Sequence, residues 1–151
     1  MTAVVVDTGV VVGLFLRVPG WRVSRERLRG WIAEGTPVHA PALLPYEVAS
    51  VLRKIVRMGR ERGNIAVNEG EAMRIAERLF DLGIRFAEPT AELLGRSLVW
   101  ARRLDQAQAY DAQFVALAEM LDAEFWTADG RLARRLLQVG FPNVRSVLDR
   151  E

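Results

Sequence analysis

Apolar and polar positions follow two rhythms along this chain. Short, continuously apolar runs rich in β-branched residues are separated by longer segments whose apolar positions recur every three or four residues. Strands buried on both faces give the first pattern and amphipathic helices give the second. Their alternation predicts an α/β domain built on a mostly parallel sheet. Ala3 to Val6 predicts a central buried strand, and Gly9 to Leu16 turns into a first helix. Val23 to Ala33 predicts a charged amphipathic helix ending near Gly35, and Pro37 to Ala40 a second strand. Val48, Val51, Leu52, Ile55 and Val56 form one helical stripe, with Pro45 near its first turn and Gly59 and Gly63 weakening its far end.

The second half continues the alternation. Asn68 and Glu71 predict a capping pair before the stripe Ala72, Ile75, Ala76, Leu79 and Phe80. Gly83 ends that helix, and Ile84 to Ala87 is a third strand candidate. Thr90 caps a helix reaching about Leu104, and Tyr110 to Leu121 is another, burying Phe114, Leu117, Ala118 and Leu121. Glu124 to Thr127 predicts a short strand, Gly130 a turn, Leu132 to Val139 a helix stopped by Gly140, and Val144 to Val147 an edge strand. No repeat, low-complexity run or linker divides the sequence, so residues 1–151 read as a single domain.

Composition narrows the chemistry. The sequence has no cysteine, which excludes disulfides, thiolate-bound zinc, iron–sulfur clusters and a thiol nucleophile, and fits a reducing cytoplasm. The longest apolar stretch, Gly9 to Leu16, is too short for a bilayer, which needs about 20 residues. The start, Met1-Thr2-Ala3-Val4, has no positive n-region, so no secretory signal is expected. No nucleophile elbow or P-loop is present. The lone histidine, His39, lies in a short apolar strand and reads as structural, because one imidazole makes neither a triad nor a metal cluster. The four tryptophans coincide mostly with apolar faces and read as packing residues.

The charge balance is nearly even, at +2, and the pI near 9.6 overstates it. All basic residues but Lys54 are arginine, a bias that runs along the whole chain and is explained by genome composition. Three local basic clusters stand out: Arg22, Arg25, Arg27 and Arg29; Arg53, Lys54, Arg57, Arg60 and Arg62; and Arg131, Arg134 and Arg135. Each has the ordinary reading of a solvated helical face. The third follows directly on an acid that matters below, where backbone phosphates would approach.

Most acids lie on helical faces, but four stand at the ends of elements. Asp7 and Asp129 follow the strands Val4-Val5-Val6 and Phe125-Trp126-Thr127, and Glu47 and Asp111 sit in first turns of helices. Carboxyl ends of parallel strands are where α/β sheets bind ligands. Taken singly, each acid has an ordinary explanation as a helix cap or a first-turn acid favoured by the helix dipole. Taken together, four carboxylates at one rim would repel one another unless a cation sat among them. All-oxygen ligands without histidine point to Mg²⁺ or Mn²⁺, which could activate water for attack on a phosphodiester.

The same residues carry a resemblance. Val4-Val5-Val6-Asp7-Thr8-Gly9, Pro41-Ala42-Leu43-Leu44-Pro45-Tyr46-Glu47-Val48, Tyr110 to Glu119 and Phe125 to Leu132 resemble, in order, four blocks of PIN-domain ribonucleases of the VapC toxin type. The resemblance implies an α/β/α sandwich and metal-dependent cleavage of RNA by water. It implies that Asp7, Glu47, Asp111 and Asp129 form an acidic metal site, with Asp7 and Asp111 binding most directly and Thr127 hydrogen-bonding within it. It also implies a homodimer and an antitoxin partner. Arg131, Arg134 and Arg135 are the expected RNA contacts. One departure is Gly9, where relatives often carry serine or asparagine, so a side-chain hydrogen bond near the metal is expected to be missing. Two other functions stay open: a PIN-fold module that binds RNA or protein with little or no catalysis, and a nuclease or phosphatase acting on DNA.

Overall fold

The computed structural model describes residues 2–62 and 67–148. Five short strands form one parallel sheet: β1 (Val4–Val6), β2 (Val38–Pro41), β3 (Arg85–Ala87), β4 (Glu124–Thr127) and β5 (Val144–Ser146), in the order β3-β2-β1-β4-β5. The run Val4-Val5-Val6 is central and completely buried, as its unbroken apolar character predicts. β5 lies at the edge, also as expected.

Seven helices among the described residues connect these strands. They are α1 (Thr8–Phe15), α2 (Trp21–Glu34), α3 (Leu44–Arg62), α4 (Glu69–Leu79), α5 (Ala91–Arg103), α6 (Tyr110–Leu121) and α7 (Gly130–Gln138). Parallel strands need crossover connections, and right-handed crossovers place α1 to α4 on one face and α5 to α7 on the other. Neighbouring residues of β4 display the two layers. Phe125 meets Phe114 of α6, with ring centroids 6.4 Å apart, while Trp126 meets Trp31 of α2 edge-on at 5.6 Å. The domain is therefore a three-layer α/β/α sandwich.

Several local details follow from side-chain chemistry. Asn68 accepts from the Glu71 N–H and donates to its carboxylate, so the capping pair forms as its spacing predicts. Helix α6 buries a continuous run from Phe114 to Ala118, because it lies between the sheet and α5 rather than on the surface. Other positions differ from the sequence reading. Phe80 and Leu121, expected in the core, are exposed. Phe80 falls at the C-cap of α4, where the helix has ended, and its ring rests edge-on against Phe86. Gly130 is no turn but the first residue of α7, because the Asp129 side chain caps that helix through the Arg131 and Leu132 N–H groups. Gly63 lies outside the described residues, as do the side chains of Arg60 and Arg62.

Within the first basic cluster, Arg25 and Arg27 are half-buried rather than solvated, while Arg22 and Arg29 are exposed. Arg22 and Arg25 stack on Trp21 at 5.0 and 4.5 Å, and Arg27 lies over Trp126 at 4.8 Å. Of the tryptophans, Trp31, Trp100 and Trp126 are buried, in agreement with a packing role.

Gly9 has a steric explanation. A Cβ there would stand 2.7 Å from the Ala128 Cβ, inside contact distance, because the start of α1 presses on the turn after β4. Gly9→Ala should therefore lower the melting temperature, by the equivalent of about 1–3 kcal/mol of overpacking. Adding Ala128→Gly should bring the double variant back above Gly9→Ala alone. Thermal melts followed by circular dichroism measure both, and a double variant no more stable than the single one would refute the contact.

Candidate active site

The strand order reverses direction at β1. From there the chain winds outward through β2 and β3 on one side, and through β4 and β5 on the other. A crevice opens beyond the carboxyl ends of β1 and β4 at such a switch point. Asp7 leaves β1 at that rim, and its N–H still pairs with the Trp126 carbonyl at 3.0 Å. Asp129 leaves β4 two residues past its end. Helices α3 and α6 start at the same rim, carrying Glu47 and Asp111 in their first turns. One cleft of about 580 Å³ is lined by all four acids, together with Thr8, Gly9, Tyr46, Ser50, Tyr110, Phe114 and Ala128.

Asp7 is the most constrained of the four. Its Oδ1 accepts from the Val10 N–H at 2.9 Å and so caps α1. Its Oδ2 accepts a short hydrogen bond from the Thr127 hydroxyl and one from the Ala128 N–H at 3.2 Å. Thr127 is completely buried, and its oxygen also accepts from the Asp129 N–H at 2.9 Å, which ties the turn carrying Asp129 to Asp7. Burial drives the Asp7 carboxyl up to about 6. The hydrogen bonds from Thr127, Val10 and Ala128 oppose the rise, and the charge of Asp111 adds to it.

The other acids are linked through Asp111. Burial raises the Glu47 carboxyl, a hydrogen bond from Thr8 Oγ1 to its Oε1 at 2.9 Å opposes this, and Asp111 adds repulsion. Loss of surrounding water raises Asp111 first and the charge of Asp129 second, against a long hydrogen bond of 3.5 Å from Gln106. Four helix N-termini, those of α1, α3, α6 and α7, meet these acids and favour their negative charge.

A family profile describing the PIN domain matches residues 4–135. The chain belongs to the PIN-domain family. Among solved structures, this PIN domain is similar to a chain of a toxin–antitoxin complex from Klebsiella pneumoniae. The two share 16% sequence identity with a TM-score of 0.66, over 96% of this chain and 98% of that one, which is a likeness of fold. No curated protein matches the chain.

The sequence-predicted acids of the PIN domain thus reach one cleft, but not one point. Among the described residues, no three carboxylate or imidazole side chains stand close enough to grip a single ion. The donor set still fits a hard cation. It is all oxygen, and Mg²⁺ commonly takes only one or two carboxylates and keeps several waters. Thr127 does hydrogen-bond within the site, on Asp7. Arg131, Arg134 and Arg135 are exposed on α7, and none of them lines the cleft. His39 is half-buried on β2 outside the cleft, its pKa lowered by burial and by Arg85 on the neighbouring strand. No helix of the described residues is long and apolar enough to cross a membrane.

Three site features were not recognised from the sequence. Thr8 positions Glu47, the Ala128 N–H holds Asp7, and Tyr46 and Tyr110 form part of the cleft wall. The adjacency of Thr8 to Asp7, and of each tyrosine to an acid, was the available signal. A main-chain N–H donor leaves none.

The raised Asp7 carboxyl makes stability depend on pH. The folded metal-free protein holds a proton on Asp7 that the unfolded chain releases. The resulting stabilisation is complete below 3.8 and is lost as pH rises through about 6. The cost of the ionised form above that window is ~3 kcal/mol. Asp7→Asn, which keeps a capping oxygen, should therefore raise the melting temperature of the metal-free protein at pH 8, and the gain should vanish near pH 4. Melts across this range check it, and a gain independent of pH would refute the buried-charge account.

Proposed function

We propose that this PIN domain is a Mg²⁺- or Mn²⁺-dependent endoribonuclease, the toxin of a toxin–antitoxin pair acting on RNA in the cytoplasm. The observation that carries the reading is the meeting of Asp7, Glu47, Asp111 and Asp129 in one cleft at the switch point of the sheet. Asp7 and Asp111 would hold the ion, with Glu47 and Asp129 in support. Bound there, a divalent ion supplies Lewis acidity at a phosphodiester and relieves the repulsion among the acids.

The chain's own residues have separable tasks. Thr127 and the Ala128 N–H aim the Asp7 carboxylate, so that it needs no reorganisation on binding. Thr8 occupies Oε1 of Glu47, which leaves Oε2 to take a proton from an attacking water. Burial strengthens that carboxylate as a base. The arginines of α7, Arg131, Arg134 and Arg135, are exposed and outside the cleft lining, so they would meet backbone phosphates beyond the cleft rather than the scissile one. An antitoxin arginine entering among the acids would block the site by charge pairing. Support for such a partner comes from the family and from the fold shared with a chain of a toxin–antitoxin complex. A homodimer is part of the same proposal.

The test is cleavage of RNA by purified protein. Activity should need Mn²⁺ or Mg²⁺, stop with EDTA and return on adding Mn²⁺. Asp7→Asn and Asp111→Asn should each lose at least ~100-fold in rate, the scale expected when one preorganised electrostatic contact is removed, while remaining folded. Asp7→Asn with wild-type activity would overturn the site. Parallel assays on single-stranded DNA decide between RNA and DNA as substrate. A second reading, a PIN-fold module that binds RNA or protein without cutting, is favoured by the lack of three acids at one point among the described residues. Calorimetry separates the two: RNA binding without Mn²⁺ binding at millimolar concentration would establish the module.

A further inference from the structure

The chain contains two tyrosines, Tyr46 and Tyr110, and both line the acid cleft. Tyr46 precedes Glu47 in the first turn of α3, and Tyr110 precedes Asp111 at the start of α6. Tyr46 is 75% exposed and Tyr110 52%, whereas Trp31, Trp100, Trp126, Phe114 and Phe125 are buried. Among the described residues neither phenol oxygen has a hydrogen-bond partner, and neither ring stacks on another ring or on a guanidinium. Packing therefore does not account for these rings. Both are fixed at the backbone by helix first turns and left open at the side chain.

The rest of the cleft wall makes their placement informative. Among the described residues its charged side chains are all carboxylates, with no lysine or arginine in the lining. A nucleic acid entering the cleft finds its phosphates opposed by the acids and no side-chain cation to draw it in. Bases are neutral and carry apolar π faces, which stack on tyrosine whatever their identity. A base inside a duplex has both faces covered by its neighbours, so only an unpaired base can use such a platform.

We infer that Tyr46 and Tyr110 are base-stacking platforms, which grip unpaired bases of one strand so that the phosphate between them lies over the acids. They are positioning residues and take no part in proton transfer. This inference rests on the ribonuclease reading of the cleft for the identity of the strand.

Binding and turnover test it separately. The probe is a mixed-sequence single-stranded RNA dodecamer, compared with an abasic version of itself and with its blunt duplex. Fluorescence anisotropy with Ca²⁺ in place of Mg²⁺ or Mn²⁺ reads affinity while sparing the strand. Tyr46→Ala and Tyr110→Ala should each weaken binding about fivefold or more, while Tyr46→Phe and Tyr110→Phe stay within about twofold of wild type, because the ring and not the hydroxyl does the stacking. The abasic strand and the duplex should bind wild type more weakly than the intact single strand. In Mn²⁺ turnover assays the alanine variants should raise KM about fivefold or more, with the phenylalanine variants within about twofold of wild type.

Several results would overturn the platforms: alanine variants that bind like wild type, phenylalanine variants as weak as the alanine ones, equal binding of the abasic strand, or no binding by wild type. Tyrosine-dependent binding without cleavage by wild type would refute the ribonuclease reading and leave the platforms standing. Cleavage with an unchanged KM in both alanine variants would do the reverse.

Discussion

The interaction on which the site depends is the hold that Thr127 and the Ala128 N–H keep on Asp7. These groups sit at the end of the neighbouring strand, 120 and 121 residues from Asp7 in sequence, and meet it only because β4 pairs with β1. The Asp7 carboxylate is thereby half-buried, hydrogen-bonded on both oxygens and locked to the turn that carries Asp129. Removing water from a carboxylate is expensive unless it is well partnered. Here the partners offset only part of that cost, and the carboxyl remains raised to about 6. The domain thus stores an unfavourable charge at the switch point of its sheet, where a cation would relieve it.

Capping and ligand binding are compatible at this rim. Asp7 and Asp129 both cap helices, and Glu47 and Asp111 both lie in first turns, so the ordinary structural explanation of each acid holds. Each carboxylate nonetheless borders the cleft. Four helix N-termini supply the partial positive charge that makes such a concentration of acids tolerable. The same arrangement explains Gly9: the start of α1 must press on the turn at Ala128 for Asp7 to be capped and gripped at once, and a side chain would intervene.

Charge is segregated around this centre. A formal total of +2 says little about nucleic acids. What distinguishes the molecule is a cleft walled by acids and two open tyrosines, with the arginines of α7 outside it. Other arginines of the chain are engaged elsewhere, stacked on Trp21 and Trp126. The basic excess is therefore spread between structural stacking and solvated faces rather than gathered at the chemistry.

Sequence alone determined whatever depends on residues close together along the chain. The apolar run Val4 to Val6, the stripe from Val48 to Val56, the Asn68 and Glu71 cap, and the placement of each acid at the end of an element are local patterns, and all are present in the fold. Boundaries drifted where one side chain decides them, as at Gly130, where the Asp129 cap extends the helix. Tertiary structure alone decided that the acids share a cleft yet bring no three to one point, that Thr127 and Ala128 hold Asp7, that Thr8 holds Glu47, and that the tyrosines are open while the α7 arginines stand outside. Those outcomes depend on β1 lying between β2 and β4, a pairing made across most of the chain that no local periodicity encodes.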